Sequence, residues 1–279
     1  YFGGQRDIKE KMIRVLHSLS FVEDPTRVFR AIRFEQRFGF TIGKLTDGLI
    51  DNAVSMNFFR GLSGRRVLTE LKQILEEDNP VPAIIRLNDY DLLKFIHPSI
   101  QFDEQLISVL NSVRKAMAWH DLLFLDESYM KWVVYFLVLI QTCDQQRSEE
   151  ICTRFELAPR YKKIFCSERF AAEKCVLKMT RDLPVSNSTL YRELSGFRTE
   201  LILYMMAISK QQMVKKAISL YFTRLRRVMV SLKGKDLQQM GVEPGPIYRE
   251  ILQATLDAKL NGTLKTHKDE LEFARSYAR

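Results

Sequence analysis

The chain has 279 residues, 46% of them hydrophobic and 28% charged, with a formal net charge of +9, enough apolar material for a large core in one extended domain or two to three small ones. Its four cysteines, Cys143, Cys152, Cys166 and Cys175, include no Cys-x-x-Cys pair, which argues against a zinc site or disulfide framework and for small core residues of a cytosolic protein. The longest apolar run, residues 132–140, is far too short to span a bilayer, and no secretory signal is present.

The chain opens Tyr1-Phe2-Gly3-Gly4 without an initiator Met, which reads as a fragment or a processed product. Lys11-Met-Ile-Arg-Val-Leu16 is the best strand signal. The most informative stretch follows, from Phe21 to Phe40. Asp24-Pro25 reads as a helix start, because Asp can cap orphan amides and Pro fits the first turn. At about 100° per residue, Arg27, Arg30, Arg33 and Arg37 fall within a stripe of about 120°, while Val28, Phe29 and Ile32 point into a core. Guanidinium forks on one helix face suit planar or anionic ligands, nucleobases and phosphates first. Spacing alone equally allows Asp24 as a plain cap, Arg27 as its i+3 partner and the other arginines as a solvated face.

Helical periodicity continues from Arg65 to Leu75 and stops before Asn79-Pro80-Val81-Pro82. A second helix begins near Ala83, and Asp91 to Ile96 follows before His97-Pro98. Amphipathic segments are predicted at about 103–118, 129–143, 158–180, 187–195, 198–209 and 210–231. Gly234 to Leu252 reads as two helices meeting at a Gly/Pro turn. The chain is thus all-α, with roughly 70% helix or more against a usual one-third. Lys210, Lys215, Lys216, Arg224, Arg226, Arg227, Lys233 and Lys235 form a basic stripe suited to a phosphate backbone, with a solvated helical face as the competing reading. His120-Asp121 is the dipeptide of HD-type metal phosphohydrolases, with His97 upstream. With four histidines in all, a surface or core His is the better reading, and no metal ligand is assigned.

Glu23-Asp24-x-x-Arg27, then Arg30-Ala31-Ile32-Arg33-Phe34 and Gly39-Phe40, resembles the neck motif of the class II tRNA nucleotidyltransferase and poly(A) polymerase family. Ser63, Arg66, Glu70 and Leu71 match a second family motif, with Arg66 and Glu70 read as an i,i+4 ion pair bracing the neck. The glycines and prolines between Gly234 and Pro246 resemble the family's tail, which lies along tRNA. Gly3-Gly4-Gln-Arg6-Asp7-Ile8 resembles the last motif of its catalytic head.

The resemblance implies the end of a head at 1–20, a neck at 21–100, a helical body at 101–209 and a basic tail at 210–279. It places Asp24 and Arg27 at the base of the incoming nucleotide, with Arg30 in support. A carboxylate accepts from an exocyclic amine while Arg donates to a ring nitrogen or carbonyl, a pattern offered by adenine and cytosine but not by uracil or guanine. Arg226, Arg227, Lys235 and Arg249 are the implied RNA contacts. The implied partners are tRNA and ATP, or ATP with CTP. The details around residues 62–66 and 244–249 look most like large bacterial members with DHH and CBS domains. Some of those add only A and leave C addition to a separate enzyme. Mg²⁺ is implied for the whole enzyme, on an acidic pair in the head. No catalytic residue falls on this chain, which by itself is expected to be inactive. A stand-alone helical RNA-binding module and a poly(A) polymerase of the same family are the alternatives.

Overall fold

In the computed structural model residues 3–278 are described. Tyr1 and Phe2, which open the expected head remnant, and Arg279, which ends the expected tail, lie outside them. Helix accounts for 69% of the described residues, and no described helix is long and apolar enough to cross a membrane. Two units divide it, one through Ala171 and one from Ala172. The first holds α1 (Gly4–Glu10), α2 (Ser20–Glu23), α3 (Arg27–Phe38), α4 (Lys44–Ser55), α5 (Gly64–Leu75), α6 (Val81–Asp89), α7 (Glu104–Asp121), α8 (Lys131–Leu139), α9 (Gln145–Arg154) and α10 (Pro159–Lys163). After α11 (Arg169–Asp182) come α12 (Asn187–Ser195), α13 (Thr199–Ile208), α14 (Gln212–Thr223), α15 (Gly234–Gln239), α16 (Pro246–Leu260) and α17 (His267–Tyr277). Of the strand signal at 11–16, only β1 (Met12–Ile13) forms, parallel to β2 (Thr41–Ile42), with Met12 opposite Thr41.

In the first unit, α3 buries Val28, Phe29, Ala31 and Ile32 and packs on α5 and α6. Its core continues through Phe59, whose ring meets Phe29 edge-on at 6.0 Å and stacks on Phe95 at 5.0 Å. Gly39 ends α3 at φ +61, a left-handed turn that costs a residue without Cβ little. The apolar run 132–140 is a helix buried on every side, as its lack of a polar face requires. Helix α9 has only a narrow stripe of Ser148, Ile151 and Cys152 facing inward. Its Arg154 carbonyl lies where a Cβ on Gly64 would come within 1.8 Å. Only glycine lets the first turn of α5 sit against that backbone.

All four cysteines are buried and free. Arg169 is fully buried, and its guanidinium donates to the carbonyls of Gln141, Cys143 and Phe165 and to the Ser148 hydroxyl. A buried cation is tolerable only when its donors are spent this way.

In the second unit, α13 is buried along nearly its whole length. A separate apolar cluster of Leu232, Leu237, Ile251 and Ala274 gathers α15, α16 and α17. Glu270 of α17 is wholly buried beside it. It accepts the amides of Ser231 and Leu232 at 2.8 and 2.9 Å and an ion pair from Lys259. Burial pushes its carboxyl up, but Lys259 and the two amides outweigh that, so the group stays below the usual glutamate range. A carboxyl depressed in the folded state contributes stability above its unfolded pKa and loses it as pH falls through the folded value. Glu270→Gln should therefore destabilise the second unit by about 2–3 kcal/mol at neutral pH. In chemical unfolding followed across pH, that gap should stay flat down to about pH 5 and close at lower pH.

Candidate nucleic-acid interface

The chain enters α3 through a turn rather than directly. Asp24 is extended, at φ −147 and ψ 92, and closes the short helix α2. Its Oδ1 accepts the Thr26 amide at 3.0 Å and the Thr26 hydroxyl. This corrects the sequence-based helix start: the carboxylate does take an amide, but within an Asx turn, and α3 begins at Arg27 with Thr26 as cap residue. A turn at Pro25-Thr26 satisfies the local amides before helical geometry sets in.

The ion pairs also differ from those that spacing suggests. Arg66 and Glu70 do not pair with each other. Arg66 reaches Oδ1 of Asp24 at 2.9 Å, and Glu70 accepts from Arg30 at 2.8 Å. Packing of α3 on α5 sets an opposite charge nearer to each than its own i,i+4 neighbour. Glu70 is nearly buried, and its second oxygen has no hydrogen-bond partner, so the Arg30 contact is the main compensation for its desolvation. Arg27 does not pair with Asp24 either. Its guanidinium donates through Nη1 to the Ser20 carbonyl at 3.2 Å and to Glu23 at 3.3 Å. The remaining stripe is tied as well, with Arg33 and Arg37 each 3.6 Å from Glu77.

Asp24 and Arg27 are thus braced and still have capacity to spare. Burial raises the Asp24 carboxyl, while the Thr26 hydroxyl and amide and the nearby Arg66 and Arg30 hold it, on balance, below its usual range. The group is ionised at neutral pH and can only accept. All three donors converge on Oδ1, which leaves Oδ2 as an acceptor. Arg27, with a side chain 41% exposed, keeps Nε and Nη2 as donors. An acceptor and a donor therefore sit at the entry to one helix. A cleft of about 710 Å³ beside Arg33 and Arg37 does not include them, and Glu76, Glu77 and Asp78 on its wall offset its arginines.

In the second unit, Arg227, Lys235 and Arg249 are exposed. Arg226 is not a free cation: it donates to the Thr199 hydroxyl at 3.2 Å and lies over Phe222 at 5.5 Å. His97 is held by Ser99 and Glu150, and buried His120 meets Tyr129 edge-on at 5.2 Å. Among the described residues no group of three or more His, Cys, Asp or Glu side chains is placed to hold a metal ion.

The swapped pairing has a direct energetic signature. A double-mutant cycle of Arg30→Met with Glu70→Gln should return a coupling of about 1–2 kcal/mol. The Arg66→Met and Glu70→Gln cycle should return roughly 0.3 kcal/mol or less. Urea unfolding of the four variants in each cycle measures both.

Residues 39–103 match a family described as the probable RNA and SrmB-binding site of polymerase A. An A-adding tRNA nucleotidyltransferase of Geobacter sulfurreducens is 45% identical across 98% of this chain, which spans 32% of that protein. One from Aquifex aeolicus is 32% identical across 90% of the chain and 31% of its own length. Among solved structures, a Thermotoga maritima CCA-adding enzyme complexed with tRNA superposes with a TM-score of 0.80. It is 29% identical, over 99% of this chain and 66% of its own. A CCA-adding enzyme with ATP gives 0.78 at 28% identity, over 97% of this chain and 63% of its own. The chain spans about a third of the length of these two sequence relatives, and over nearly its whole own length it is related to tRNA nucleotidyltransferases.

Proposed function

We propose that this chain supplies nucleotide selection and tRNA grip for template-independent addition of A, or of CCA, to tRNA 3′ ends in the cytoplasm. The observation that carries this reading is the half-occupied carboxylate of Asp24. One oxygen is spent on Thr26 and Arg66, the other takes no hydrogen bond among the described residues, and Arg27, three residues on, bonds through Nη1 alone. In this reading, an adenine or cytosine amine donates to Asp24, and Arg27 donates to the neighbouring ring nitrogen. Uracil and guanine would set a carbonyl against an ionised carboxylate and are rejected. Arg30 acts one step back, by holding Glu70 and lending positive charge to Asp24.

The proposed division of labour follows the expected boundaries, with the end of a head at 1–20, the neck at 21–100, the body at 101–209 and the tail at 210–279. Arg227, Lys235 and Arg249 are placed on RNA phosphates, and Arg226 helps to shape the same surface. The donor set on the described residues does not fit a metal site, so no step of the transfer is routed through this chain. Mg²⁺ and the catalytic carboxylates are assigned to a head, and the chain by itself is inactive. Relatives named for A addition at 45% and 32% identity favour A-only transfer, with a separate enzyme providing the CC end.

A chimera with the N-terminal portion of the Geobacter sulfurreducens relative ahead of this chain tests the reading. Asp24→Ala should lower the preference for ATP over UTP on tRNA ending in CC by about 100-fold, with tRNA affinity within about twofold. Unchanged preference, or loss of tRNA binding in parallel, would remove Asp24 from the base.

A further inference from the structure

A second cleft in the first unit, of about 430 Å³, is lined by Asn57, Arg60, Lys94, Phe95, Pro98 and Arg154. Three of its six lining residues are cations, and none is a carboxylate. The clefts beside Arg33 and beside Asp51 differ in this respect, since acidic side chains line both. Lys94 has an ion pair with Asp91. Among the described residues, Arg60 and Arg154 have no carboxylate partner at all, and both are exposed. That differs from the α3 stripe, where Arg27, Arg30, Arg33 and Arg37 each meet a glutamate.

All three cations line the one cleft, and packing fixes the elements that carry them. Arg154 is fixed by the contact of its backbone with Gly64, where no side chain would fit. Lys94 and Phe95 are carried by the short turn Leu93–Phe95, with the ammonium 5.3 Å from the Phe95 ring centre. Stacking of Phe95 on the buried Phe59 fixes that ring. Arg60 and Arg154 are uncompensated like charges, while Lys94 already meets Asp91; such an unpaired pair favours an anion that bridges it.

We propose that this cleft binds the phosphodiester backbone of an RNA strand. Arg60 and Arg154 clamp one phosphate, Lys94 meets it or its neighbour, and the Phe95 and Pro98 surface supports a sugar or base. Asn57 is the one lining side chain with both a donor and an acceptor, so the site reads charge and spacing rather than sequence. It rests on the RNA-binding reading above and adds a contact separate from both the Asp24 edge and the basic tail.

The test is fluorescence anisotropy of labelled tRNA with the full 279-residue chain across a salt series. Arg60→Gln with Arg154→Gln should reduce the slope of log affinity against log salt by about 1 per lost phosphate contact and weaken binding by roughly tenfold. Lys94→Gln alone should act in the same direction. Arg147→Gln, an exposed arginine on α9 beside Asp144, is the control for loss of one charge and should leave the slope as it was. Tripolyphosphate should displace tRNA no better than salt of equal ionic strength. An unchanged slope in the Arg60/Arg154 variant, with the parent binding tRNA, would overturn the cleft and leave the family reading standing. A parent that does not bind tRNA would overturn both. Displacement by micromolar tripolyphosphate, lost in the variant, would make this a free-polyphosphate site and overturn the RNA assignment.

Discussion

Helix α3 must bury Val28, Phe29 and Ile32 while holding four guanidiniums near the surface, and the remainder of the neck is arranged around that constraint. The four arginines share three carboxylates, none of them on α3 itself. Glu23 precedes α3, Glu70 lies on α5, and Glu77 follows α5 and serves both Arg33 and Arg37. The apolar face supplies most of the adhesion, since buried aliphatic and aromatic area outweighs half-exposed ion pairs. The pairs contribute register. With α3 crossed onto α5 by Arg30–Glu70 and by Asp24–Arg66, the turn before α3 is fixed, and with it the Asp24 carboxylate.

On the proposed reading, that arrangement links electrostatics to recognition. The same donors that overcome burial and keep Asp24 ionised also use up one of its oxygens. A carboxylate pinned on one side and open on the other offers a fixed acceptor, and it need not reorganise when a base arrives. A freely rotating aspartate would discriminate less well, because either oxygen could turn away from a mismatched edge.

Much of this was legible in the residues. The helix content, the buried run at 132–140, the apolar face of α3 and the Gly/Pro break before α16 all follow from periodicity and turn chemistry. The pairings did not. Arg66 and Glu70 sit at ideal i,i+4 spacing, and only the docking of α3 shows that each has a nearer partner. Helix α9 escaped notice because its inward stripe is Ser148, Ile151 and Cys152 among polar residues, too narrow to register as amphipathic. Arg169 reads as a surface charge until three carbonyls are found around it. Gly64 reads as an ordinary loop glycine until the Arg154 carbonyl is seen against it. Apart from α9, these features depend chiefly on contacts whose partners lie tens of residues away.

The most direct check is a structure of the head-bearing chimera with ATP bound. The expected result is adenine N6 about 2.9–3.2 Å from Asp24 Oδ2, with an Arg27 nitrogen donating to ring N1. Adenine seated elsewhere, with Asp24 bonded only to Thr26 and Arg66, would contradict base selection at the entry to α3.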